Sequence, residues 1–105
     1  MELSNLNRGP KWIMGVNESN SPVEIGFFKS CADVMHHHES VYEYYVVLEG
    51  SLILRLQNKE LALKKHDVLC VFPNEDHAVI QTSPDLQCML LKYPHLPDDK
   101  ILTKP

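Results

Sequence analysis

The residues of this sequence that are best suited to chemistry are a group of histidines followed by a glutamate. His36 and His38 are two positions apart, so in an extended chain both side chains leave the same face, about 6.6 Å apart at the backbone. That spacing allows both imidazoles to bind one metal ion. Glu43 follows a short polar turn, and His77 begins a later apolar run, from which it can reach the same ion if the strands close into a barrel.

These ligand types define the kind of metal. Three neutral imidazoles and one carboxylate suit a divalent transition metal ion, namely Fe, Mn, Ni, Co, Cu or Zn, whereas Mg and Ca prefer shells of oxygen alone. Four protein ligands leave two positions of an octahedron open to substrate, water or dioxygen, as a catalytic metal requires. His37 points to the opposite face of an extended chain and is therefore not expected among the ligands.

Short strands are predicted to carry these four residues. Apolar residues come in brief runs between turn formers, and no run keeps the helical period of 3.6 residues for three turns. The predicted strands are WIMGV (12–16), VEIGFFK (23–29), YEYYVVLE (42–49), LILRLQ (52–57), KELAL (59–63), DVLCVF (67–72), HAVIQT (77–82) and LQCMLL (86–91). Strands this short, with turns about every 8 to 12 residues, favour an antiparallel sandwich or barrel.

Length and charge limit the organisation and the partners. A chain of 105 residues with 44% hydrophobic residues predicts one domain over residues 1–105, with its core at about 12–93. A loose N-terminal arm is expected at residues 1–10 and a loose tail at residues 96–105. Fourteen acidic against ten basic residues give a net charge of -4, without the basic excess that attracts nucleic acid.

The expected location is the cytoplasm. The first ten residues lack the basic and apolar regions of a signal peptide, and no run approaches the roughly 18 apolar residues that a membrane span needs. The three cysteines form no CxxC pair, which suits neither a disulfide framework nor a zinc cage. We therefore expect a chain that binds neither membrane nor nucleic acid.

The stretch HHHESVYEYYVVLEG resembles the first motif of the cupin family, which is His-x-His, then Glu after three or four residues, then Gly after six more. The matching residues are His36, His38, Glu43 and Gly50. The resemblance implies a small all-β fold over residues 23–93, a double-stranded β-helix or jelly-roll barrel, with one metal ion inside it.

A second cupin motif, with two glycines and a proline before its histidine and an asparagine after it, aligns with HDVLCVFPNEDHAVIQ. His77 matches the histidine of the motif, while His66 and Asn74 stand at the two glycine positions. Phe72 replaces the proline and Gln81 the asparagine. The substitutions are physically mild, because His and Asn tolerate a positive φ better than most residues do and a proline stands one step later at Pro73.

The resemblance implies a small-molecule substrate or ligand, but it does not define the reaction. The leading hypothesis is a metal-dependent enzyme with isomerase, lyase or oxygenase chemistry on a sugar, a sugar acid or another oxygenated metabolite. The alternative is a non-catalytic cupin that binds or senses a small ligand, because no general acid or base is identifiable beyond the metal ligands.

The strands carry two further expectations, one for a tyrosine and one for the outer faces. Alternation from Glu43 places Tyr45 on the same side of its strand, where its hydroxyl is the candidate for binding the substrate. Several strands are apolar on both faces, and together with the habits of the family this predicts a homodimer.

Overall fold

The computed structural model describes residues 11–14, 22–94, 96 and 99–103, which form ten strands and no helix. The strands are β1 (Lys11–Met14), β2 (Glu24–Phe28), β3 (His36–His38), β4 (Tyr42–Glu49), β5 (Ser51–Leu56), β6 (Lys59–Lys64), β7 (Val68–Val71), β8 (His77–Thr82), β9 (Gln87–Tyr93) and β10 (Lys100–Leu102). The all-β prediction is therefore confirmed. None of these residues belongs to a helix of the length and apolarity that a membrane crossing requires.

The strands form two five-stranded antiparallel sheets, in the orders β1-β2-β9-β4-β7 and β10-β3-β8-β5-β6. Side chains alternate along β4, so that Glu43, Tyr45 and Val47 are buried while Tyr44 and Val46 are half-buried on the other face. The alternation predicted from Glu43 is thus confirmed.

The hydrophobic core lies between the inner faces of the two sheets. It contains Phe28, Tyr45, Val47, Leu52, Leu54, Leu63, Val71, Val79, Leu86 and Cys88. Removing this much apolar surface from water is the main favourable contribution to folding. The core occupies one part of the interior, and the histidine strand β3 lies beside it.

β3 is placed by its neighbours on both sides. It pairs with β10 at three register positions and with β8 through His36 and His77. Within the segment 96–105, which is predicted from the sequence to be loose, Lys100–Leu102 thus form a paired strand, β10. The N–H of Thr103 also donates to the carbonyl of Met35 (2.9 Å). The predicted arm at residues 1–10 lies outside the described residues.

Two turns explain why the second motif tolerates its substitutions. His66 and Asn74, at the glycine positions of that motif, have φ values of 77° and 68°. Both residues therefore adopt the left-handed conformation that glycine adopts most easily. Gly50 also has a positive φ, and a Cβ added there would lie 2.5 Å from Ser83 Oγ and 2.8 Å from Leu86 Cα. Space and conformation both require glycine at this position between β4 and β5.

Candidate metal centre

The structure brings the four predicted ligands together. His36, His38, Glu43 and His77 each offer one ligand atom, and these atoms all lie within 4.8 Å of one another. All four side chains are buried, with at most 4% of their surface exposed. Their mutual distances are short enough for a single ion to bind all four.

Both sheets contribute to the group. His36 and His38 leave the same face of β3, and His77 is the cross-strand partner of His36 at the start of β8. Glu43 comes from β4 in the opposite sheet. The N–H of Asn74 also donates to the carbonyl of His38 (2.6 Å), so the turn before His77 is bonded to the strand that carries another ligand.

Backbone hydrogen bonds select the tautomer of two histidines. Nδ1 of His36 donates to the carbonyl of Val34 (2.8 Å), and Nδ1 of His77 donates to the carbonyl of Glu75 (2.9 Å). A carbonyl oxygen only accepts, so each Nδ1 carries the hydrogen and each neutral ring keeps a lone pair on Nε2. Outer hydrogen bonds of this kind orient histidine ligands in metal proteins.

Two observations on these four residues are consistent with a bound cation. Nε2 of His38 is buried and has no hydrogen-bond partner, which is costly for a polar atom. Nε2 of His77 lies 2.7 Å from Oε1 of Glu43. When His77 is neutral, its Nε2 and the Oε1 atom of Glu43 are both acceptors. Their short distance therefore requires a proton or a metal ion between them. The residues therefore fit the metal that the donor set predicts.

The protonation states also suit metal binding. Burial lowers the pKa of His36, and it lowers the pKa of His38 to about 4. Burial alone would raise the pKa of Glu43, but the hydrogen bond with His77 and the charge of Lys92 lower it to about 2. His36 and His38 are thus neutral and Glu43 is ionised near neutral pH, as metal ligands must be.

His77 differs from the other two histidines. Burial lowers the pKa of His77, but the hydrogen bond with Glu43 and the negative charge of Glu43 raise it by more. The pKa of His77 therefore lies above its usual value. Positive charge, carried by a proton or by a metal ion, is therefore stabilised between His77 and Glu43.

Tyr45 supports Glu43 from inside the barrel. Its hydroxyl donates to Oε1 of Glu43 (3.2 Å), and its ring is almost completely buried. Burial and the neighbouring carboxylate raise the pKa of Tyr45 well above its usual value, so the hydroxyl keeps its proton. On the other side, Nζ of Lys92 lies 3.7 Å from Oε2 of Glu43.

A cavity of about 280 Å³ opens beside the metal group, which consists of His36, His38, Glu43 and His77. Its walls are formed by Phe28, Cys31, Asp33, His36, Glu43, Tyr45, Val79, Leu90, Lys92 and Lys100. The cavity therefore contacts two of the four candidate ligands. Tyr45, the predicted substrate-binding residue, also lines it, although its hydroxyl is bonded to Glu43.

Four polar residues of this cavity were not identified from the sequence. Asp33 accepts a hydrogen bond from the Cys31 thiol (3.1 Å), and its own N–H donates to the carbonyl of Val79 (2.9 Å). Lys92 and Lys100 come from β9 and β10, which belong to different sheets. The single available signal was alternation along β9, which places Lys92 on the same face as the buried Cys88.

His37 lies outside the metal group, as the alternation predicted. Its Nδ1 is 3.0 Å from Oδ1 of Asp76, which also accepts a hydrogen bond from the Thr103 hydroxyl (2.6 Å). This contact ties the outer face of β3 to the chain that follows β10. His66 is exposed in a turn, and His95 lies outside the described residues.

Several solved structures share the fold. One is an uncharacterized conserved protein with a double-stranded β-helix domain from Klebsiella pneumoniae, with 14% identity, coverage of 98% of this chain and 91% of that chain, and a TM-score of 0.72. Another is KdgF from Halomonas sp., with 18% identity, coverage of 85% and 82%, and a TM-score of 0.67. The DMSP lyase DddQ from Ruegeria pomeroyi has 18% identity, coverage of 79% and 43%, and a TM-score of 0.63.

At these identities the structural neighbours establish the fold, which is the double-stranded β-helix expected from the sequence. No curated protein matches the sequence at a significant level. The model of the Cupin 2 family, described as a cupin domain, matches residues 29–92, which include the whole metal group and most of the cavity. Because this match extends over more than half of the chain, the protein belongs to the cupin superfamily as a small domain of the Cupin 2 family.

Proposed function

We propose that the protein is a metal-dependent enzyme that performs isomerase, lyase or oxygenase chemistry on a sugar, a sugar acid or another small oxygenated metabolite. The observation that carries this proposal is the position of the buried group of His36, His38, Glu43 and His77, which borders a cavity that also contains titratable side chains other than the ligands. Catalysis usually needs such groups within reach of the metal.

The four residues would hold one divalent transition metal ion through three imidazole nitrogens and one carboxylate oxygen. When bound, such an ion supplies Lewis acidity for isomerisation or elimination, or redox chemistry with dioxygen if it is iron. The tautomers of His36 and His77 leave Nε2 available to it. Tyr45 would position Glu43 by donating to Oε1.

The other cavity residues would bind the substrate and move protons. The Asp33 carboxylate and the Lys92 and Lys100 amines are the groups that could accept or donate a proton at the substrate. The apolar walls would exclude water from the reacting atoms. Cys31 is not expected to act as a nucleophile, because burial and the neighbouring Asp33 raise its pKa to about 12.

Non-catalytic binding of a small ligand is the alternative function. A pure binding site would be served by a pocket without acids or bases, and the acid and two amines in this cavity favour the enzyme instead. The similar DMSP lyase DddQ is a lyase by its name, which supports including elimination among the reactions to be assayed.

The test is metal analysis of protein purified without a histidine tag, followed by product analysis. We expect about one equivalent of a transition metal, and none in a variant carrying His36→Ala with His38→Ala. The metal-loaded protein is then incubated with sugar acids and hydroxy acids, with and without oxygen, and products are followed by NMR. Protein that takes up no metal would contradict the proposal, and metal-loaded protein that binds but never converts its ligands would support the alternative.

We also propose that the protein works in the cytoplasm as a homodimer. All three cysteines are free thiols, which suits a reducing compartment. The outer face of the sheet that contains β4 and β7 presents exposed apolar residues, among them Val68 (62% exposed) and Phe72 (56% exposed). A patch of this kind is typical of a surface that another protein covers.

A further inference from the structure

Two lysines from opposite sheets reach the same cavity. Lys92 lies in β9 and Lys100 in β10, and both side chains line the space next to His36 and Glu43. Lys92 is the cross-strand partner of Glu43, and Lys100 is the cross-strand partner of His38. The register of each sheet therefore places one lysine ammonium group beside the metal group.

The charge around this space depends on the metal. The carboxylates on or beside it are those of Asp33, Glu43 and Glu24, the last being the other cross-strand partner of Lys92. Three carboxylates against two ammonium groups leave one negative charge when the histidines are neutral. A divalent ion changes this to one positive charge. Electrostatic complementarity then favours a ligand with a single negative charge.

Much of the remaining wall is apolar. Phe28, Val79 and Leu90 face the cavity, together with the ring of Tyr45. The volume of about 280 Å³ lies just below the range of roughly 300 to 1,000 Å³ that is typical of pockets for drug-sized ligands. The space therefore suits a small molecule that has an apolar part and one anionic group.

We infer that the natural ligand is a small monocarboxylate, whose carboxylate lies between Lys92 and Lys100 and whose carbon skeleton packs on Phe28, Val79 and Leu90. This inference rests on the proposed function, since it names the class of substrate of the same site. Lys92 is 20% exposed at its side chain, whereas Lys100 is exposed. Lys92 therefore makes the larger contribution, because exposed charges are screened by solvent.

Isothermal titration calorimetry with two probes of equal shape tests the inference. The probes are isovalerate, which is an anion, and isovaleramide, which is uncharged. Protein loaded with redox-inert Zn²⁺ avoids any need for turnover. We expect isovalerate to bind at least about tenfold more tightly than isovaleramide.

Three variants identify the groups responsible. Lys92→Gln should weaken isovalerate binding about tenfold, and Lys100→Gln about two- to fivefold, while neither changes isovaleramide binding. Lys64→Gln, which removes an exposed lysine in β6, is the matched control and should bind both probes as the unchanged protein does.

Equal affinities for the two probes would overturn the inference, and so would the absence of binding by both probes. Lysine variants that bind isovalerate as tightly as the unsubstituted protein would also overturn it. Zinc content is measured on every sample, so that failure to take up metal contradicts the proposed function separately. In that case the comparison is made on metal-free protein, where Lys92→Gln should still weaken isovalerate binding relative to isovaleramide binding. An unchanged ratio of the two affinities in that variant would overturn the inference.

Discussion

The ring centroids of His36 and His77 lie 4.3 Å apart across the β3–β8 pair, with the two ring planes inclined at 54°. Each donates its Nδ1 hydrogen to a carbonyl two residues earlier in the chain. The same local bond thus fixes the same tautomer in two strands that are far apart in sequence. The backbone therefore orients two of the four candidate metal ligands in the same way.

Metal binding should therefore stabilise the folded protein strongly. At a free metal concentration a thousandfold above the dissociation constant, the gain is about 4 kcal/mol. For a chain of this size, this gain should raise Tm by more than about 10 °C. The measurement is thermal unfolding before and after chelation. The variant with His36→Ala and His38→Ala should show no such rise, and an equal rise in that variant would mean that the ion binds elsewhere.

Replacing His38 by leucine should separate metal binding from stability. Nε2 of His38 is buried without a hydrogen-bond partner, so the metal-free variant should gain about 1 kcal/mol of unfolding free energy. Metal affinity should fall by more than the roughly 10- to 100-fold that loss of an outer-shell group costs. Urea unfolding and metal titration provide the two readouts.

The control for this prediction is the adjacent residue, His37, which points to the other face and contacts Asp76. His37→Ala should keep full metal affinity. Loss of metal binding in both variants would mean that β3 as a whole, and not the side chain of His38, is required.

Tyr45→Phe should weaken metal binding without creating a cavity in the hydrophobic core. The variant keeps the buried ring and removes the hydroxyl that donates to Glu43. We expect metal affinity to fall about tenfold and the metal-free protein to lose about 1 kcal/mol of stability. Competition with a chromophoric chelator measures the affinity. Tyr44→Phe, on the opposite face of β4, is the control and should not change the metal affinity. If Tyr45→Phe also leaves the metal affinity unchanged, Tyr45 does not position Glu43.

Two of the three thiols should resist alkylation. Burial raises the pKa of Cys31 and of Cys88 from 9.0 to about 12, so each has roughly a thousandfold less thiolate at pH 8. Their rates should rise about tenfold per pH unit until the pH approaches the raised pKa. Iodoacetamide labelling followed by mass spectrometry measures both rates. Protein unfolded in urea is the control, and similar rates in folded and unfolded protein would show that the thiols are accessible.

The proposed homodimer should be visible by sedimentation of the unchanged protein. Val68→Asp places a charge on the exposed apolar face of β7 and should shift the mass to that of a monomer. Ile80→Asp, in the other sheet, is the control that should keep the dimer. Unsubstituted protein that sediments as a monomer at the highest concentration tested would contradict the prediction.

Most of the fold could be predicted because its signals are local. Alternation along β4 and β5 and the turn residues between them indicated strands and their buried faces. β10 could not be predicted, since three residues give no periodic pattern. Its strand conformation depends on pairing with β3 and on contacts such as that between the Ser40 N–H and Asp99 (2.9 Å), which join distant parts of the chain.

The metal group was predictable for a related reason. His36 and His38 are two apart in one strand, and Glu43 and His77 stand at motif positions. The cavity was not predictable in the same way. Lys92 and Lys100 have no spacing that relates them, and they meet because two sheets close on each other. Residues that share a site through tertiary packing alone leave no local pattern in one sequence.

The bond from the Asn74 N–H to the His38 carbonyl has a consequence for protein engineering. It joins the segments that carry two of the ligands, and it uses main-chain atoms alone. Exchanging a histidine for aspartate, glutamate or cysteine therefore leaves this connection in place. The donor set of the proposed metal site can be varied one side chain at a time on a nearly constant frame, which suits this small barrel to experiments on metal selectivity.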